Sequence, residues 1–167
     1  EPLFGALIAK GELTVEDRRA RFRLATEAGN VRVARAIAMD MPPADRVTAR
    51  EFAPVDASPG PALARGEFRW KQPGGRDLAL YALERAARSD AAGVRAAWEK
   101  QRNRLSEADR LYGNARIAFH AARQQNPLAA EWFREAGNAV LSDGERAWRV
   151  RAALRAGAWP DVLMAIE

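Results

Sequence analysis

The sequence predicts an all-α chain built as a right-handed α-superhelix, a solenoid of short helix pairs with irregular, tetratricopeptide-like repeats. Three observations predict it. Ala fills 37 of the 167 positions, whereas Ile, Val and Thr together fill 16; strands favour the β-branched residues and helices favour Ala, Leu, Arg and Glu. Helix-capping signals recur along the chain. Pro, Gly and Asn punctuation divides the chain into short helices, and in a solenoid such helix pairs bury both flanks against their neighbours. Ala-rich faces let such helices approach closely.

The elements follow in order. Leu3, Phe4, Leu7 and Ile8 lie at helical spacing and end at Gly11. Thr14 opens the next helix, with Asp17 placed to return the cap, and that helix runs to Gly29-Asn30. Asn30 caps a third, carrying Val33, Ile37 and Met41 ahead of Pro42-Pro43. A further turn or two is expected over 44–53, then an irregular connection at Pro54, Pro59, Gly60 and Pro61, with a short helix over 62–70. Pro73-Gly74-Gly75 reads as the clearest loop, so 54–76 is where the single domain, residues 1–167, would subdivide. Leu78 to Ser89 and Asp90 to Trp98 form a helix pair. Ser106 starts the longest helix, which stops at Asn126-Pro127 because proline disfavours helical geometry in the residue before it. Helices over 129–136 and 142–156 follow, then one led by Pro160.

Aligning the helix starts exposes an internal signal. Leu13-Thr14-Val15-Glu16-Asp17-Arg18, Leu105-Ser106-Glu107-Ala108-Asp109-Arg110 and Leu141-Ser142-Asp143-Gly144-Glu145-Arg146 share Leu, a hydroxyl residue, two free positions, an acid and Arg. In such a box the hydroxyl accepts from the N3 amide and the acid reaches back to the cap amide. Glu27-Ala28-Gly29-Asn30 is repeated as Glu135-Ala136-Gly137-Asn138, where Gly or Asn takes a left-handed conformation. Ser106 and Ser142 are 36 residues apart, about one helix-turn-helix repeat.

Composition excludes several function classes. No apolar run approaches the roughly 20 residues of a membrane span. Cys is absent, which removes disulfides, thiolate metal sites and cysteine nucleophiles. The net charge of +5 comes from 24 Arg and 3 Lys, dispersed among acids without a like-charge block, so the chain reads as a mixed-charge surface and not as a nucleic-acid partner. His120 is the only histidine and has no carboxylate within a turn of its own helix to orient it, only Arg116 and Arg123. No phosphate-binding loop, nucleophile elbow, metal motif or cofactor motif is present. The five tryptophans read as core packing, with Trp159 a packed helix entry before Pro160. By residue chemistry alone the chain is a helical scaffold.

The stretch Trp148-Arg149-Val150-Arg151-Ala152-Ala153-Leu154-Arg155-Ala156-Gly157-Ala158-Trp159, continued by Asp161-Val162-Leu163-Met164-Ala165-Ile166, resembles the superhelical, U-shaped region of soluble lytic murein transglycosylases. The region from Leu105 to Gln125, followed by Trp132, is similar to that family's long helix, and Leu13-Thr14 through Asp17-Arg18 with Ala34-Arg35 to its opening repeats. The resemblance implies a periplasmic parent enzyme that cleaves the MurNAc–GlcNAc bond of peptidoglycan and leaves 1,6-anhydromuramic ends. It implies a C-terminal lysozyme-like catalytic domain in cis, with a catalytic Glu in a Glu-Ser pair near a Gly-Leu-Met-Gln stretch. Neither occurs here, so no catalytic residue is carried over and the chain reads as an excised, non-catalytic piece that guides the glycan strand. Arg116 and Arg123, seven residues apart on one helical face, are the candidates for contact with glycan or with peptide-stem carboxylates. The alternative is a solenoid that binds a protein partner, with no enzymatic parent.

Overall fold

The computed structural model describes residues 13–166, so the helix expected around Leu3 to Ile8 lies outside the described residues. Ten α-helices and one 3-10 turn make up the described chain, which contains no strand. They are α1 (Val15–Glu27), α2 (Val31–Met39), α3 (Ala49–Ala57), α4 (Pro59–Arg65), α5 (Pro73–Ala87), α6 (Ala91–Gln101), the turn Arg102–Arg104, α7 (Glu107–Arg123), α8 (Ala129–Glu135), α9 (Asp143–Arg155) and α10 (Trp159–Ile166).

The starts of these helices are chemically determined. Thr14 with Asp17 and Ser142 with Glu145 form complete capping boxes on α1 and α9. Ser106 accepts from the Asp109 amide at the start of α7, and the Asp109 carboxylate accepts from the Ser106 hydroxyl. Thr48 and Glu51 add a fourth box, which starts α3 five residues later than the expected turn at 44. Each cap satisfies amide groups that have no partner inside the helix. The two Glu-Ala-Gly-Asn segments end their helices as the repeat predicts, with Gly29 at φ 73° and Gly137 at φ 55°.

Between residues 54 and 76 the structure corrects the expectation. Proline there starts and continues helices: Pro54 lies inside α3, and Pro59 and Pro73 open the first turns of α4 and α5. In that first turn the missing N–H costs nothing and the fixed φ suits a helix. The short helix expected over 62–70 already ends at Arg65, where Gly66 turns left-handed. Pro73-Gly74-Gly75 is a buried helix start and not a loop. A Cβ on Gly74 would lie 2.0 Å from the Asp45 carbonyl oxygen, and one on Gly75 2.3 Å from that of Arg69. The two glycines are therefore packing residues, which let the backbone of the 42–48 segment and of Arg69 close on α5.

α5 is buried on nearly every side, from Leu78 through Leu83 to Ala87, as expected of an apolar helix that neighbours surround. Each of α1, α3, α5, α7 and α9 packs against the helix that follows it. In addition α5 packs on α1, α3 and α7, and α7 on α9. Trp98 is completely buried and donates from Nε1 to Asn114 Oδ1 at 2.7 Å, and Asn114 in turn donates to the Glu135 carbonyl at 3.0 Å, so one polar chain links α6, α7 and α8. The Gln124 side chain bridges the α5–α6 corner, accepting from the Ala91 amide at 3.0 Å and donating to the Ala87 carbonyl at 2.9 Å. Trp132 also belongs to the core, while Trp70 and Trp148 pack against it from its edge. Trp159 is 67% exposed at the start of α10, which corrects its reading as a packed entry.

Candidate functional site: a buried charge cluster and an arginine-lined cleft

One charged cluster sits inside the helical stack. Glu84 interrupts the apolar run of α5 and is fully buried, together with Arg116 and His120 of α7 and Glu145 of α9. Arg116 donates from Nε and Nη2 to the two Glu84 oxygens at 2.7 and 3.0 Å, and from Nη1 to Glu145 Oε1 at 2.6 Å. His120 Nε2 lies 2.9 Å from Glu84 Oε1. Glu145 thus serves two helices, because its other oxygen accepts the Ser142 amide and hydroxyl of its own capping box. At the edge of the cluster the Tyr112 hydroxyl donates to Glu27 of α1 at 2.8 Å.

The electrostatics are those of a saturated network. Burial pushes the Glu84 carboxyl up, but hydrogen bonds from His120 and Arg116 outweigh it and hold the group below its ordinary range. Burial works against the charge of Arg116 too, yet the hydrogen bond and field of Glu84 keep the guanidinium more firmly protonated than usual. Tyr112 is pushed well up, by burial first and then by the charge of Glu27. A His–Glu pair at hydrogen-bond distance is the geometry of a general base and its orienting group. Here both side chains are sealed, His120 at 2% and Glu84 at 0% exposure. The orienting carboxylate that His120 lacks on its own helix is supplied by α5, 36 positions earlier.

The two sequence candidates therefore sit in different environments. Arg116 is buried with its guanidinium engaged by Glu84 and Glu145, whereas Arg123 is exposed. Both guanidinium groups lie over the Phe119 ring, at 4.9 and 5.6 Å from its centroid. The structure brings them to one aromatic side chain but leaves Arg123 alone at the surface.

A second constellation escaped the sequence reading. A surface cleft of about 530 Å³ is lined by Arg19 and Arg23 of α1, Arg76 and Asp77 of α5, and Arg104, Ser106 and Asp109 around the start of α7. Asp77 is buried there, and burial raises its carboxyl above the ordinary value although Arg19 and Arg23 pull it down. In sequence these arginines are 4 to 85 positions apart and read as dispersed surface charge; packing of α1, α5 and α7 gathers them. Among the described residues no group of three or more His, Asp or Glu side chains is placed to hold a metal ion, and no helix is long and apolar enough to cross a membrane. Comparison with known protein families finds no family model that matches the chain, and comparison with curated proteins finds no significant match.

Proposed function

We propose that this chain is the non-catalytic superhelical arm of a periplasmic lytic murein transglycosylase. In this reading the helix pairs form a curved solenoid that guides peptidoglycan glycan strands to a lysozyme-like domain in the same polypeptide. The observation that carries the reading is the order of packing: each odd-numbered helix is backed by its successor, and α5, α7 and α9 follow one another side by side. That is the local, neighbour-on-neighbour scheme from which solenoids are built. The residues that carry the family resemblance, from Leu105 to Ile166, fall on α7 to α10 of this array. A scaffold of this kind acts by holding a polymeric substrate near a tethered catalytic centre, which raises its local concentration.

A protein-binding scaffold is the second reading, and one observation favours it: Trp159, Leu163 and Met164 of α10 are 67%, 67% and 56% exposed. Co-sedimentation with purified sacculi separates the two. The glycan-guiding reading expects the chain to pellet with sacculi and to release no anhydro-muropeptides by itself. It also expects a Glu-Ser pair and a Gly-Leu-Met-Gln stretch encoded downstream of Glu167. A chain that stays in the supernatant, or that releases muropeptides alone, overturns it.

A further inference from the structure

The four arginines of the surface cleft fall into two classes. Arg19 and Arg23 are neutralised: Arg19 pairs with Asp45 and with Asp77 at 3.2 Å, and Arg23 with Asp109 at 2.5 Å. Arg76 and Arg104 have no carboxylate within ion-pair distance among the described residues. Both are nevertheless held, and by the same residue. The Trp70 carbonyl accepts from Arg76 Nη1 at 3.0 Å, and the Trp70 ring lies 5.3 Å from the Arg104 guanidinium. The ring is itself fixed by donation from Nε1 to the Gly66 carbonyl at 2.8 Å. Trp70 therefore orients two guanidinium groups without cancelling their charge.

We propose that this cleft binds a tetrahedral oxyanion, a phosphate monoester, with Arg76 and Arg104 as its ligands. A guanidinium carries five N–H donors in a planar fork that matches phosphate oxygens. Arg76 commits one donor to Trp70 and Arg104 engages its ring face only. Asp77 and Asp109 face the same space, and with Asp45 they set three carboxylates against the four guanidinium groups, so one positive charge is left for an anion and Arg76 also lies in the field of Asp77. The volume of about 530 Å³ exceeds what phosphate alone fills and leaves room for the body of a small ester. The site is independent of the glycan-guiding reading.

The test is calorimetric titration of the chain with inorganic phosphate at fixed ionic strength, with malonate as a dicarboxylate control. The comparison is Arg76→Gln/Arg104→Gln against Arg32→Gln/Arg35→Gln, which removes the same charge from exposed positions on α2. Saturable one-to-one binding is expected, weakened at least about tenfold by the first pair and unchanged by the second. Circular dichroism confirms folding; should the double variant lose helix, the exposed Arg104→Gln alone carries the comparison. No saturable heat, equal loss in both pairs, or tighter binding of malonate than of phosphate overturns the proposal.

Discussion

Replacing Glu84 with Gln keeps the shape of the side chain and removes the charge on which the buried cluster closes. The carboxylate accepts from Arg116 at 2.7 and 3.0 Å and meets His120 at 2.9 Å, with Arg88 at 3.2 Å on its outer side. An amide offers one oxygen to these donors and turns an NH2 towards the others. Arg116 keeps Glu145 at 2.6 Å, and its next carboxylate, Glu27, is 4.0 Å away. Breaking a buried pair by removing one partner costs about 3–5 kcal/mol, because the other charge stays desolvated. Against a total stability of about 5–15 kcal/mol for a domain, that is a large share. At about 2–4 °C per kcal/mol it lowers the midpoint of melting by roughly 6–20 °C. Urea unfolding of the parent, Glu84→Gln, Arg116→Met and the double variant measures it. The double variant should lose about 1–3 kcal/mol less than the sum of the singles, since it leaves neither charge stranded. A loss below about 1 kcal/mol for Glu84→Gln, the range of exposed ion pairs, refutes the reasoning, as does strict additivity.

Three further outcomes are expected. Glu84 titrates below its ordinary value of 4.5 in the folded chain, so its contribution is complete above that value and is lost as pH falls through the lower one; the urea midpoint of the parent should drop on acidification below about 4.5 more steeply than that of Glu84→Gln. Asp77 has the opposite sign: burial raises its carboxyl, so the fold disfavours its ionised form and that penalty fades as pH falls through the raised value. Asp77→Asn at neutral pH should therefore cost no more than about 1 kcal/mol, since Arg19 keeps Asp45 and Arg23 keeps Asp109; a loss matching that of Glu84→Gln would show the charge to be needed. Gly74→Ala drives a Cβ to 2.0 Å from the Asp45 carbonyl and should destabilise by about 1–3 kcal/mol or more. Gly144→Ala, whose nearest neighbour is Ser142 Oγ at 4.0 Å, should stabilise by about 0.4–1 kcal/mol, so the two melting points should move in opposite directions.

Helix starts were the most legible part of the fold, because a capping box is a local device whose partners lie three positions apart. Thr14–Asp17, Ser106–Asp109 and Ser142–Glu145 could be read directly and are all N-terminal caps. Proline and glycine were legible as punctuation but not in their meaning. Whether Pro73-Gly74-Gly75 is a loop or the first turn of α5 depends on the approach of the Asp45 and Arg69 backbones, which are remote in sequence. The charged cluster was hidden for the same reason: Glu84, Arg116 and Glu145 pair across about 30 positions. One signal was available. Glu84 directly follows the apolar run from Leu78 to Leu83, and an acid on the buried face of a central helix needs a cation from elsewhere.

The double duty of Glu145 bears on how the molecule comes apart. Helix pairs joined by neighbour contacts alone open from their ends, each at its own modest free energy. Arg116 changes that for three helices. Lifting α9 away strips Arg116 of a carboxylate that the Ser142 cap holds in place for it. α5, α7 and α9 are thereby welded into one opening unit. α10 lies outside it, tied at its start by Arg134 to Asp161 at 3.2 Å and with Trp159 in solvent. In native-state hydrogen exchange the amides of α10 should report a shallow opening, and protection should rise abruptly on crossing from Trp159 back to Ala153.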